Sequence, residues 1–208
     1  MNATKIEVYI ADDHTMFTAG LVEVVNRGEK VNISRTFGTI AACKQALALH
    51  RPAVLLLDIS MSDGNGSDFC KWLLAEYPDL KILAITSHDE YSIIRRMLES
   101  GAHGYLLKTS PIDELTDAVE TIVQGESYIS SEVEKIIKQG KANEIIISAI
   151  EKNILRHICD GRTNPEIANA LNLSTETVNW YRKRLLAKFG ANNTATLVAT
   201  IIKNNVLE

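Results

Sequence analysis

The chain has 208 residues, enough for one or two domains that each bury a core without disulfide or metal staples. Its net charge is −4, its three cysteines (Cys43, Cys70, Cys159) are too few and too scattered for a disulfide framework, and no apolar run nears the roughly 18 residues of a membrane span. Membrane-spanning helices and disulfide-stapled scaffolds are therefore not expected.

The charge is uneven. Residues 1–124 carry 11 Lys+Arg against 17 Asp+Glu, residues 125–147 carry 3 against 4, and residues 148–208 carry 8 against 5. An acidic first part joined to a basic last part is expected where only one end meets a polyanion. The N-terminal residues lead straight into a strand pattern without the apolar core of a signal peptide, so a cytoplasmic location is expected, with the cysteines as core thiols.

Ile6–Ala11 reads as a strand ending in Asp12-Asp13, followed by a helix over 15–26 with Met16, Leu21, Val24 and Val25 at helical spacing. Val31–Thr36 is a second strand and Thr39–Leu49 a second helix. Val54-Leu55-Leu56-Leu57 is a continuous apolar run between Arg51-Pro52 and a Gly-rich turn, as in a strand buried on both faces, and it ends on Asp58. A helix around Phe69–Leu74 stops before Pro78; a strand over Lys81–Thr86 and a helix from Asp89 to Ser100 follow. Gly104–Leu107 is a fifth strand ending at Lys108, and Pro111 opens a helix reaching about Gly125. Five strands alternating with helices predict a doubly wound five-stranded parallel sheet over 1–125. The pattern weakens over 126–147: Glu132–Gln139 suits a short helix, but Gly140 interrupts it, and the stretch reads as a linker. Residues 148–208 show four short helical patterns without strands, two of them opened by capping boxes, Ser148…Glu151 and Thr163…Glu166.

In a parallel sheet Asp12, Asp13, Asp58, Thr86 and Lys108 all lie at or just beyond strand carboxyl ends, where open α/β sheets gather their chemistry. Three carboxylates so gathered either raise a pKa or recruit a cation, and all-oxygen ligands suit Mg²⁺. Lys108 and Thr86 are the groups a transferred phosphoryl needs, one to neutralise and one to donate, with Asp58 as nucleophile forming an aspartyl phosphate. These residues, with Asp-Ile-Ser-Met-Ser-Asp-Gly around Asp58 and Gly-Ala-His-Gly-Tyr-Leu-Leu-Lys ending at Lys108, resemble a response-regulator receiver domain of flavodoxin-like fold over residues 5–125. The resemblance implies that Asp13, Asp58 and the backbone carbonyl of Ser60 bind Mg²⁺ directly, that Asp12 acts through water, and that Tyr105 repositions when Thr86 engages phosphate. It also implies a sensor histidine kinase as phosphodonor. Ser62 stands where the family most often has proline, which is expected to loosen the turn without touching the chemistry; Ser60 and His88 fall at positions that in this family tune phosphate lifetime. A phosphohydrolase using Asp58 as covalent nucleophile is the rival enzyme reading, and Ser60, where such enzymes commonly carry a second acid, counts against it.

In the basic end, Ile167, Ala168 and Leu171 form one apolar helix face and Val178, Leu185 and Leu186 another, joined by Asn172-Leu173-Ser174. That spacing is a helix-turn-helix whose second helix enters the DNA major groove. It is similar to the LuxR-type helix-turn-helix of NarL/FixJ regulators over about 147–205, matching at Glu151, Gly161, Glu166-Ile167-Ala168, Ser174, Thr177-Val178, Lys188 and Asn193. The resemblance makes Asn179, Trp180 and Lys183 base-facing and leaves Arg182, Arg184 and Lys188 for phosphates. Asn179 replaces a frequent lysine and Tyr181 a usual histidine. The last helix carries Ala195, Leu197, Val198, Ile201 and Ile202, more apolar surface than the bundle needs, and is expected to hold part of a homodimer interface. The expected whole is a two-domain transcription factor, itself no enzyme, binding a double-stranded DNA operator and switched at Asp58.

Overall fold

The structure, a computed structural model, describes residues 4–142, 145–203 and 206–207, and the chain divides into two compact units, Met1–Lys141 and Ala142–Glu208. In the first, β1 (Ile6–Ala11), α1 (Thr15–Arg27), β2 (Val31–Phe37), α2 (Ile40–Leu49) and β3 (Val54–Leu57) alternate as expected. A hairpin of β4 (Ser60–Met61) and β5 (Gly64–Asn65) lies inside the expected turn, followed by α3 (Gly66–Glu76), β6 (Lys81–Thr86), α4 (Tyr91–Glu99), β7 (Gly104–Leu107) and α5 (Ile112–Val123).

The main sheet runs β2-β1-β3-β6-β7 with every neighbour parallel. Its central strand shows why the apolar run is continuous: Leu55 and Leu57 enter the core on one face of the sheet, Val54 and Leu56 the core on the other, and all four are fully buried. Strand order reverses beside β1, so β1 and β3 lie side by side and end side by side, delivering Asp12 and Asp58 to one crevice.

The stretch 126–147 departs from the linker expected of it. Tyr128–Ile129 forms β8, a sixth strand parallel to β7, and Ser131–Ala142 forms a helix, α6. Val133 is fully buried in the core cluster that holds Tyr105, and Ile136 and Ile137 pack against that cluster. Gly140, which reads as a breaker, instead lets the helix close on α4, since a Cβ there would fall 2.1 Å from Cγ of Tyr91. Asn143 and Glu144, the next residues of the expected linker, lie outside the described residues.

The second unit consists of α7 (Ala149–Cys159), α8 (Asn164–Leu171), α9 (Thr175–Lys188) and α10 (Thr194–Lys203), around a core of Ile154, Leu155, Ile158, Ile167, Val178, Leu185, Leu197 and Ile201. Both capping boxes form. Between α8 and α9, Asn172 adopts the left-handed conformation (φ 53°) that ends a helix, and the Ser174 hydroxyl accepts from Thr177 N–H to start the next.

Because β8 and α6 complete the first core, we propose that the first domain ends near residue 141. Thermal melts of fragments 1–125 and 1–141 check this: the shorter one should unfold on the order of 5–10 °C earlier, and equal midpoints would restore the linker reading.

Candidate functional site

Asp12 and Asp58 are almost wholly buried, at 2% and 1% exposure, and the Lys108 ammonium lies between them. Lys108 Nζ is 2.7 Å from Asp12 Oδ2 and 2.9 Å from Asp58 Oδ2, and it also lies 5.0 Å from the centre of the Phe17 ring. Asp13, at the rim, accepts a hydrogen bond from the Ser62 N–H at 3.0 Å. A proline at 62 has no such donor, so Ser62 does more than loosen its turn: it ties the hairpin to the acidic pair. At the hairpin's far corner Asp63 accepts from the N–H groups of Ile40 and Ala41 at the start of α2, which lowers its carboxyl pKa.

His14 joins the pocket without having been singled out by the sequence. Its Nδ1 lies 2.9 Å from Asp12 Oδ1, 3.2 Å from Asp13 Oδ1 and 3.5 Å from Asp58 Oδ2. Asp12, Asp13, His14 and Asp58 thus bring ligand atoms to within 4.8 Å of one another. The available signal was adjacency: the residue after an acidic pair at a strand end turns back toward the same edge.

The start of α3 presses against the backbone of Asp58. A Cβ at Gly66 would lie 2.4 Å from the Asp58 carbonyl oxygen and 2.7 Å from Ile59 Cα, so only glycine lets the helix begin there. The Asp58 carboxylate has one engaged oxygen and one freer one. Oδ2 takes the Lys108 ammonium, whereas Oδ1 receives only a long bond, 3.4 Å, from Ser60 N–H.

Thr86 and Tyr105 are both fully buried, and His88 connects them. The His88 N–H donates to Thr86 Oγ1 at 3.3 Å, and Tyr105 donates its hydroxyl proton to the His88 carbonyl at 2.8 Å. On its ring, Nε2 is 2.6 Å from Ser60 Oγ and Nδ1 is 3.4 Å from Glu90 Oε2. Burial pushes the Tyr105 phenol well above the usual tyrosine range, so it stays a donor throughout the physiological window.

On α9, Asn179, Trp180, Lys183 and Arg184 are exposed, as expected of a reading face, while Arg182 is half-buried with Nε lacking a hydrogen bond. Two expected contacts are already engaged. Asn179 Oδ1 accepts from Asn164 Nδ2 on α8. Lys188 donates to both oxygens of buried Glu151, at 3.0 and 2.9 Å, and reads as a structural ion pair rather than a phosphate contact. Arg184 leans the same way, its Nε 3.5 Å from Glu151 Oε1 and its guanidinium 5.1 Å from the centre of the Trp180 ring. On α10, Ile202 is 65% exposed beside exposed Ala195, whereas Leu197 and Ile201 are spent on the core.

Residues 8–120 match the family described as the response regulator receiver domain, and residues 145–201 match that described as bacterial regulatory proteins, luxR family. The oxygen regulatory protein NreC of Staphylococcus epidermidis is 32% identical over 217 residues, covering 98% of this chain and all of the relative. The transcriptional regulatory protein DegU of Brevibacillus brevis is 29% identical, covering 98% of this chain and 96% of its own. Among solved structures, the RcsB response regulator of Salmonella typhimurium matches with a TM-score of 0.80 at 25% identity, covering 95% of this chain and 100% of that one. A structure of two RcsB dimers bound to two parallel DNAs matches with a TM-score of 0.73 at 25% identity, covering 96% and 98%.

Glu151 supplies a pH test of the second domain. Burial alone would raise its pKa, but the Ser148 N–H and hydroxyl and the Lys188 ammonium outweigh it and bring the value from 4.5 down to about 2. Its contribution is therefore fully present above pH 4.5 and lost as pH falls toward 2. Glu151→Gln should lower stability at pH 7 by roughly 1–2 kcal/mol, discounted because its cationic partners reach solvent, and should flatten the acid limb of urea denaturation followed by α-helical circular dichroism.

Proposed function

Because this chain belongs to the response regulators that join a receiver domain to a luxR-family regulatory domain, we propose that it is a DNA-binding transcription regulator whose activity is set by phosphorylation of Asp58. The observation that carries this reading is the pocket itself: a buried carboxylate with one freer oxygen, a buried ammonium beside the other, and a buried hydroxyl on the neighbouring strand end. The phosphodonor is a phosphohistidine of a sensor histidine kinase. Asp58 Oδ1 forms the new P–O bond as the donor's P–N bond breaks, and the departing imidazole keeps the electron pair. Lys108 turns from Asp58 Oδ2 to an oxygen of the transferred group while keeping Asp12. Thr86 donates its hydroxyl proton to another oxygen, and the bond it now accepts from His88 gives way as it moves.

The donor set fits a hard divalent cation. Asp12 Oδ2 is buried without a well-aligned hydrogen bond, although Lys108 is near, and Asp13 and Asp58 add further carboxylate oxygens. Asp13, Asp58 and the Ser60 carbonyl would hold Mg²⁺, with Asp12 behind them. When bound, Mg²⁺ supplies charge neutralisation at the phosphoryl oxygens.

The output is DNA binding by α9, with Trp180, Lys183 and Arg184 as the exposed contacts and Asn179 positioned by Asn164, a reading supported by the similarity to a structure of RcsB dimers bound to DNA. The active species is a homodimer, supported by the exposed Ile202 on α10. Among the described residues no helix is long and apolar enough to cross a membrane, which suits a regulator that meets DNA directly.

The test is the intact mass of the protein and of Asp58→Asn after incubation with Mg²⁺ and acetyl phosphate. One phosphoryl adduct on the wild type and none on the variant is expected. An adduct surviving Asp58→Asn would move the acceptor elsewhere.

A further inference from the structure

Among the exposed contacts proposed for α9, Trp180 offers an apolar ring where Lys183 and Arg184 offer charge. It is 54% exposed on α9, two residues past buried Val178 and five before buried Leu185, so the helix turns it away from the core. A large aromatic left in water on a basic helix loses transfer free energy unless something covers it.

The ring is also held in place. The Tyr181 ring meets it edge-on, with centroids 4.9 Å apart and planes at 80°. The Arg184 guanidinium lies 5.1 Å from its centre, and Arg184 leans on Glu151, which the Ser148 capping box holds at the start of α7 and Lys188 ties to α9. A chain of contacts thus runs from the start of α7 to the indole, so little rotamer freedom remains to be lost on binding.

What can an anchored apolar ring meet in a major groove? Base edges there are hydrogen-bonding atoms with one exception, the C5-methyl group of thymine. We infer that Trp180 reads a thymine methyl group, one in each half-site, and so makes thymine against cytosine the choice that this residue imposes. The inference rests on the reading of α9 as the DNA-contacting helix. Its neighbours divide the remaining work: Lys183 is exposed and free to bond a base edge, and Asn179 is steadied by Asn164.

The test uses the full chain with Mg²⁺ and acetyl phosphate and begins with selection from a randomised DNA duplex library. Each thymine of the enriched sequence is then replaced in turn by deoxyuridine, which removes the methyl and leaves pairing intact. Fluorescence anisotropy titrations follow for wild type, Trp180→Phe and Trp180→Ala, with helicity checked by circular dichroism. One position per half-site should cost the wild type about fourfold in affinity, the value of burying a methyl group. Trp180→Phe should keep the discrimination and Trp180→Ala should lose it. Binding in which no deoxyuridine affects the wild type, or in which the alanine variant discriminates equally, overturns the assignment of Trp180 and leaves the DNA-binding reading standing. Failure of the wild type to enrich any duplex overturns both.

Discussion

The pocket exists because one ammonium reconciles two buried carboxylates. Asp12 and Asp58 are placed side by side by the pairing of β1 with β3, and at 2% and 1% exposure neither has water to disperse its charge. Lys108, arriving from the end of β7, sits within 2.9 Å of both. Each partner stands one residue past the end of a strand, so the approach of the three charges is set by sheet register. An ion pair of this kind contributes little to stability when weighed against an apolar replacement, but removing one member leaves an uncompensated buried charge. The same arithmetic makes the site responsive: a dianionic phosphoryl group on Asp58 changes the local charge balance, and Lys108, Thr86 and the carboxylates must rearrange around it.

His88 stands where such a rearrangement would pass. Through backbone N–H, backbone carbonyl and ring it touches Thr86, Tyr105 and Ser60, so the hydroxyl beside the acceptor and the buried aromatic share one residue. Tyr105 in turn lies in the same close-packed cluster as Ile94 and Met97 of α4 and Val133 of α6. A core at that density does not absorb displacement of a tyrosine locally. In the proposed switch, a shift of Thr86 toward phosphate would load the β6–α4 loop first and the α4–α6 face next, where Gly140 and Tyr91 are in contact with no room for a methyl group.

How much of this could be read from the chain depends on how local its cause is. The strands, the order of the helices and the residues at the carboxyl ends of β1, β3, β6 and β7 follow from apolar runs and punctuation, and they stand where the sequence puts them. The two-residue β8 is too short to carry a periodic pattern, and it exists because β7 offers an edge; α6 was obscured by Gly140, whose role is a tertiary contact with Tyr91. The engagement of Lys188 was equally hidden, since Glu151 lies 37 positions away and a lysine on a recognition helix looks like a phosphate contact until its partner is seen. Ser62 was misjudged for a similar reason: the relevant group is its backbone N–H, which every residue but proline has, and its acceptor comes from β1's end.

Comparing the two buried acidic centres shows how satisfaction of hydrogen-bonding capacity separates structure from function in this chain. Glu151 accepts from the Ser148 N–H and hydroxyl, which cap α7, and from Lys188, with Arg184 close by, and these last two fix α9 on α7. Asp12 Oδ2 has a cation nearby but no aligned donor, and Asp58 Oδ1 has only the long bond from Ser60. Both carboxylates are as deeply buried as Glu151, so burial does not distinguish them. What does is unspent acceptor capacity, which costs free energy in a resting protein and is retained where something else is to bind. By that measure the acidic centre of the first domain is left with acceptor capacity that the proposed cation and phosphoryl group would use, while the second domain completes its own within the contacts between α7 and α9.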